Sequence, residues 1–205
     1  MKAISNMKYF EDVGDYLRNI EIKGNLLDVG ATDGGLKEHL DKSINYFSLD
    51  IKNFNKDRPN NYLVNLDTDK IPVEDNTFDV IVCLETLEHL LYPNKVMKEL
   101  LRVGKEDCIF IISMPNEFNL WARILFLFGK MQKSQEPFKV QEHNHIHKPR
   151  VKDIINFCRN YFKIINVEFV WYSRKNHLLD WLFNSLCSII PNLFARNVIV
   201  YGRRK

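Results

Sequence analysis

Residues 26–35 read Leu-Leu-Asp-Val-Gly-Ala-Thr-Asp-Gly-Gly, and no other passage constrains the fold as tightly. A short apolar run (Leu26, Leu27, Val29) ends in glycines, and a helical pattern through Leu36 and Leu40 follows. That order predicts a strand, a tight turn and a helix N-terminus. Glycine lacks a Cβ and tolerates φ > 0, so a ligand can approach the backbone closely. The first N–H groups of the helix would favour polar or anionic ligand groups. The loop therefore reads as a cofactor cradle.

Further strand-like runs follow at Tyr46–Asp50, Tyr62–Leu66, Phe78–Leu84 and Cys108–Met114. Helical patterns such as Val96–Val103 separate several of them. Val80-Ile81-Val82 and Ile109 to Ile112 are continuously apolar, as in strands buried on both faces of a parallel sheet. Strand-helix alternation implies an open α/β sheet with helices on both faces. Ligands of such sheets bind beyond the carboxyl ends of the strands. Gly30–Gly35, Asp50, Asn65-Leu66-Asp67 and Glu85–His89 all fall at strand ends, which places them on one rim.

After Pro115 the alternation weakens. Asn119–Met131 is rich in large apolar residues, and residues 132–150 are polar, with His143, His145 and His147. Val151–Asn160 reads as a helix, Phe162–Tyr172 as a strand, Leu178–Ile190 as a helix and Asn197–Gly202 as a final strand. The expectation is one domain over residues 1–205, with residues 117–150 as a cap over the rim.

Composition narrows the function classes. A net charge of +3 over 205 residues lacks the basic stripe of a nucleic-acid enzyme. Cys83, Cys108, Cys158 and Cys187 form no CxxC and suit reduced, buried thiols in a cytoplasmic protein. Met1 to Phe10 carries no apolar signal region, and no run reaches the ~20 apolar residues that span a bilayer.

The loop also discriminates between cofactors. A dinucleotide fingerprint needs G-x-G-x-x-G. Here Thr32 stands at the second glycine position, where it would crowd a pyrophosphate, and Asp33 would repel one. A phosphate-free, positively charged cofactor such as S-adenosylmethionine fits better. Asp50, at the end of the second strand, could accept from both ribose hydroxyls, a role it could equally play toward NAD. Asp67 could take an adenine amino group while Leu66 packs on the ring; alone, Asp67 also suits a turn.

Asp28-Val29-Gly30-Ala31-Thr32-Asp33-Gly34, Asp50, Leu66-Asp67 and Phe78 to Leu90 resemble the class I S-adenosylmethionine-dependent methyltransferases, in that family's order and spacing over roughly Gly24 to Asn116. The resemblance implies a Rossmann-like seven-stranded, mostly parallel sheet whose last strand is antiparallel. It implies cofactor binding by Asp28, Gly30, Ala31, Thr32, Gly34, Asp50, Ile51, Leu66, Asp67 and Leu84. The family often carries a further glycine where Thr32 stands.

Glu85, Glu88 and His89, read as opening a helix, would share one face. They suit either a helix start rich in acids or a site for a proton or a hard cation. Glu-x-x-Glu-His after this strand resembles the ubiquinone-pathway O-methyltransferases. That resemblance implies a divalent cation such as Mg held by Glu85, Glu88 and His89. Glu85, His89 and His145 are the candidate catalytic residues. The cap resembles that of the same broad subgroup, which acts on small-molecule and lipid-like acceptors.

The apolar stretch Asn119–Met131 reads either as core or as an interfacial helix, with Trp121 and Phe126 or Phe128 in lipid and Arg123 and Lys130 in water. Trp181 and Phe183 could join that surface, giving a cytoplasmic protein in peripheral membrane contact. The leading function is methyl transfer to an oxygen of a small-molecule or lipid-linked acceptor, with no nucleic acid involved. The alternatives are a nicotinamide-dependent oxidoreductase on a similar fold and a non-catalytic S-adenosylmethionine-binding module.

Overall fold

The computed structural model describes residues 8–52, 60–132, 135, 145–171 and 177–205. Seven strands form one sheet: β1 (Gly24–Val29), β2 (Ile44–Asp50), β3 (Asn61–Leu63), β4 (Phe78–Leu84), β5 (Gly104–Pro115), β6 (Phe162–Val170) and β7 (Asn197–Arg204). Their spatial order is β3-β2-β1-β4-β5-β7-β6. The pairs from β3 through β5 are parallel, and β7 runs antiparallel to both β5 and β6. This is the Rossmann-like order expected from the sequence, including the reversed last strand.

Side chains alternate across each strand. Leu27, Val29, Ile81, Cys83, Phe110, Ile112, Val198 and Val200 face one core, shared with α2 (Pro93–Val103) and α4 (Val151–Arg159). Cys187, on α5 (His177–Ile189), joins the same core. Leu26, Val80, Val82, Ile109, Ile111, Ile199 and Tyr201 face the other, covered by α1 (Lys8–Asn19) through Phe10, Val13 and Leu17. Both faces are therefore apolar, which is why the central strands read as continuous hydrophobic runs. All four cysteines are free and buried. No described helix is long and apolar enough to cross a membrane.

Three local expectations change. The segment after the glycine loop is a 3-10 turn, Gly35–His39, and only Gly35 and Leu36 in it are buried. One buried large side chain cannot hold a longer helix against the sheet, so the loop lacks a full helix dipole behind it. The third strand covers only Asn61–Leu63, because Asn65 and the residues after it fold into a hydrogen-bonded turn. Glu85–His89 is not a helix start: Glu85 has φ +50°, and only Leu87–His89 make a 3-10 turn. After β5 comes α3 (Leu120–Leu127), and α6 (Pro191–Phe194) precedes β7.

Candidate active site

The glycine loop is fixed from two sides. Gly30 and Ala31 N–H both donate to the Leu49 carbonyl, at 2.8 and 3.2 Å. Gly30 has φ +74°, and a Cβ there would lie 2.2 Å from Thr86 Oγ1. Thr86 donates in turn to the Leu84 carbonyl at 2.9 Å. The glycine is thus required by the approach of the β4 terminus. Thr32 adopts φ +46°, a left-handed conformation costly for a β-branched residue. Its N–H donates to Asp50 Oδ2 at 3.0 Å, which ties the loop to the end of β2.

Asp50 Oδ1 accepts the Lys52 N–H at 3.0 Å. A carboxylate has about four acceptor positions, so two remain for other donors. Ile51 beside it is exposed, an apolar surface without cover. Asp28 is buried and accepts from Tyr46 Oη at 2.6 Å. Burial pushes its carboxyl up to about 7; the Tyr46 hydrogen bond opposes the rise, and nearby Asp50 and Asp33 add to it. Ala31, Leu66 and Leu84 are buried apolar side chains. Asp67 Oδ1 accepts the N–H groups of Leu91 and Tyr92, at 2.8 and 3.2 Å, which ties the turn after β3 to the segment after β4. The turn itself is built on Asn65, whose Oδ1 accepts the Asp67 N–H at 3.1 Å.

A second cluster lies where β4, β5 and β7 reach the same rim. Ser113 Oγ donates to Glu85 Oε1 at 2.7 Å, and Asn197 also hydrogen-bonds Glu85. Asn197 reaches this rim because β7 runs backwards, opposite Pro115. Glu88 is fully buried, and among the described residues neither carboxylate oxygen has a hydrogen-bond partner beyond its own backbone N–H. Burial drives its carboxyl well above the ordinary range, and the charges of Glu85 and Glu117 push the same way. Burial also raises Glu85, against its hydrogen bonds from Ser113 and Asn197 and the nearby His145.

The strap 145–147 closes this cluster. Glu88 C=O accepts the Ile146 and His147 N–H groups at 2.8 and 3.0 Å. His147 Nε2 meets the Leu90 carbonyl at 2.9 Å, so that nitrogen carries the proton. His145 turns inward instead. Its Nδ1 pairs with Glu117, a buried carboxylate just past β5, and its ring lies 4.8 Å edge-on from His89. One ligand atom each from Glu88, His89 and His145 falls within 4.8 Å of the others.

The structure therefore gathers Glu85, Glu88, His89 and His145, and adds two residues that the sequence reading missed. Glu117 was detectable, since it follows the fifth strand on the same rim. Tyr9, whose phenol lies in electrostatic reach of Glu85, Glu88 and Asp28, arrives from α1 with no local signal. His143 lies outside the described residues.

A profile of the methyltransferase-domain family matches residues 6–164. The chain belongs to that family. An uncharacterised protein of Methanocaldococcus jannaschii is 28% identical over 202 residues, which is 95% of this methyltransferase-family chain and 76% of the relative. An S-adenosylmethionine-dependent methyltransferase of Archaeoglobus fulgidus shares the fold with TM-score 0.63, at 14% identity, over 95% of this chain and 94% of that one. The [4+2]-cyclase SpnF matches with TM-score 0.62, at 16% identity, over 95% of this chain and 80% of that one.

The cofactor implied by the family is S-adenosylmethionine, and the loop suits it. Three acids, Asp28, Asp33 and Asp50, stand at the loop, and the Asp28 carboxyl is raised by burial first and by its two acidic neighbours after it. An ammonium or sulfonium group would relieve that; a pyrophosphate would worsen it.

Proposed function

We propose that this chain transfers a methyl group from S-adenosylmethionine to an oxygen of a small-molecule or lipid-linked acceptor. The observation that carries this reading is the Glu117–His145 pair at the rim shared with the cofactor loop. Fold alone does not decide it, since a cyclase shares the architecture. The bound cofactor supplies the electrophilic methyl. Asp50 would hold the ribose hydroxyls, Asp28 would face the cofactor's positive end, and Ile51 would cover a ring edge. Glu117 fixes the imidazole through Nδ1, leaving His145 Nε2 to accept the proton of the acceptor hydroxyl as the oxygen attacks. Leu87 and Glu88 beside it are fully buried.

A second use of the same atoms is supported by the orphaned Glu88 carboxylate. A divalent cation would take Glu88, His89 and His145, with Glu117 orienting the histidine from behind. This set differs from the Glu85, Glu88 and His89 of the sequence reading, because Glu85 is turned to Ser113. Two imidazoles and one carboxylate suit zinc, manganese or iron better than magnesium.

Calorimetric titration with S-adenosylhomocysteine tests the core of the proposal. Wild type should bind, and Asp50→Ala should weaken binding roughly 10–100-fold through lost charged hydrogen bonds. Labelled methyl transfer into lipid and small-molecule extracts should follow, and His145→Ala should lower its rate about 10²–10⁴-fold with affinity for the cofactor kept. Absence of cofactor binding by the wild type would sink the proposal. Chelator dialysis separates the two uses of His145: full activity in metal-free protein assigns it as the base, and recovery with manganese or zinc assigns it as a ligand.

A further inference from the structure

The tip of the cap exposes Phe118, Trp121, Phe126, Leu127, Phe128 and Met131, with Leu127 82% and Phe128 76% accessible. Monomers rarely leave so much contiguous apolar surface in water. Trp121, Phe126, Leu127 and Phe128 are therefore not the core side chains that one reading of Asn119–Met131 expected.

The pattern of exposure says what covers the tip. A protein groove takes one stripe of a helix, at positions i, i+3, i+4 and i+7. Here Phe126 and Leu127, consecutive in the last turn of α3 and so about 100° apart around its axis, are both exposed, and Phe128 just past the helix end is exposed as well. An apolar surface pointing in so many directions fits an isotropic apolar medium. Charge points the same way: residues 118–132 contain no Asp or Glu, and the exposed Arg123, whose Nε donates to the Phe118 carbonyl at 2.7 Å, and Lys130 are interspersed among the apolar residues. Cations beside aromatic and aliphatic tips match the phosphates of an anionic bilayer.

The backbone is also closed for such an environment. Asn119 Oδ1 accepts the Ala122 N–H at 3.1 Å at the helix start. At its end Gly129, with φ +64°, donates to the Phe126 carbonyl at 3.0 Å, and Lys130 N–H donates to the Leu125 carbonyl at 2.9 Å. This paired closure removes backbone groups that would otherwise resist leaving water. Ile189 and Ile190 are exposed as well, on a corner that Asn116 Nδ2 ties to the root of α3 through the Asn192 and Ala195 carbonyls.

We infer that α3 and its flanks form a monotopic anchor that inserts in the headgroup–acyl boundary of an anionic bilayer. The helix is too short to span one. Glu117, which holds His145, directly precedes the anchor, so docking presents the site to the membrane surface. The delivery of a lipid-linked acceptor rests on the proposed methyl transfer; the docking does not.

Flotation with phosphatidylcholine–phosphatidylglycerol vesicles tests it. Wild type should float. The triple change Phe126→Ser, Leu127→Ser and Phe128→Ser should lower partitioning roughly 100-fold or more, since three large apolar chains lose their burial. Its far-UV spectrum and S-adenosylhomocysteine affinity should match wild type. Arg123→Glu with Lys130→Glu should reduce binding to these vesicles more than to pure phosphatidylcholine. Wild type that stays with the soluble fraction overturns the anchor. So does a stable wild-type dimer, seen by light scattering, that the triple change dissociates, because a second copy would then cover the tip. Loss of cofactor binding with flotation retained would strike the function proposal alone.

Discussion

At the residue scale, the loop opposes two conformational demands. Gly30 sits at φ +74° with Thr86 pressed against the space where a Cβ would go, whereas Thr32 holds φ +46° with a branched side chain in place. The first glycine satisfies strain; the threonine stores it, at about 1–3 kcal/mol. Substitution should separate them. Gly30→Ala must displace Thr86 and adopt a left-handed φ that alanine rarely takes, so it should cost at least about 2 kcal/mol, or roughly 4–8 °C in melting temperature for a chain of this size. Thr32→Gly relieves strain against a flexibility cost in the unfolded chain of about 0.4–1 kcal/mol, so its midpoint should equal or exceed wild type. Scanning calorimetry on both variants checks this; a Thr32→Gly midpoint as low as that of Gly30→Ala would remove the claim of stored strain. The sequence showed this position as a missing glycine. It could not show that the backbone keeps the glycine's conformation anyway, because the hydrogen bond from Thr32 N–H to Asp50 arises only once β1 and β2 pair.

At the element scale, the strap 145–147 behaves as one unit. Two N–H groups bind Glu88 C=O and the His147 ring binds Leu90 C=O, while Glu117 N–H reaches the Pro149 carbonyl at 3.1 Å. His147 is thus a positioning residue for His145. His147→Ala should raise hydrogen exchange at the Ile146 and His147 amides about five- to tenfold, the effect of one lost hydrogen bond. S-adenosylhomocysteine affinity should hold while the methyl-transfer rate falls. Unchanged exchange at both amides would show that the ring contributes nothing to the strap. The central strands β1, β4, β5 and β7 were legible because both of their faces are buried, so hydropathy alone marks them. The short elements were not. Leu36–Leu40 looked helical, but only Leu36 is fully buried and Leu40 packs partly against the core; Glu85 looked like a helix residue, but its positive φ, facing Ser113 across the rim, turns the chain first. Such outcomes depend on partners distant in sequence, which no local period records.

At the scale of the whole molecule, buried carboxyls should set the response to pH. Asp28 rises to about 7, and Glu85 and Glu88 rise with it, chiefly through burial. Unfolded, each titrates near 4. Between about pH 4 and 7 the folded protein therefore binds more protons than the unfolded chain, and its stability falls as pH rises. Asp28 alone, from 3.8 to about 7, corresponds to a loss on the order of 4 kcal/mol. Carboxylates lowered by partners, Glu99 beside Arg102 and Asp153 beside Arg150, have the opposite sign. They act below about pH 4.5, so the raised group dominates the window above it. The cofactor-free protein should thus be most stable in mild acid and lose stability toward neutral pH, the reverse of ordinary acid denaturation. Asp28→Asn keeps the shape and removes that titration, and should flatten the slope. A positively charged cofactor beside Asp28 should lower its carboxyl, so binding should release a proton near pH 6. Titrations in two buffers of different ionisation enthalpy would read that release directly. A wild-type stability curve that climbs steadily from pH 5 to 7, unchanged by Asp28→Asn, would show that Asp28 stays charged, and the acidic loop would then need another source of compensation.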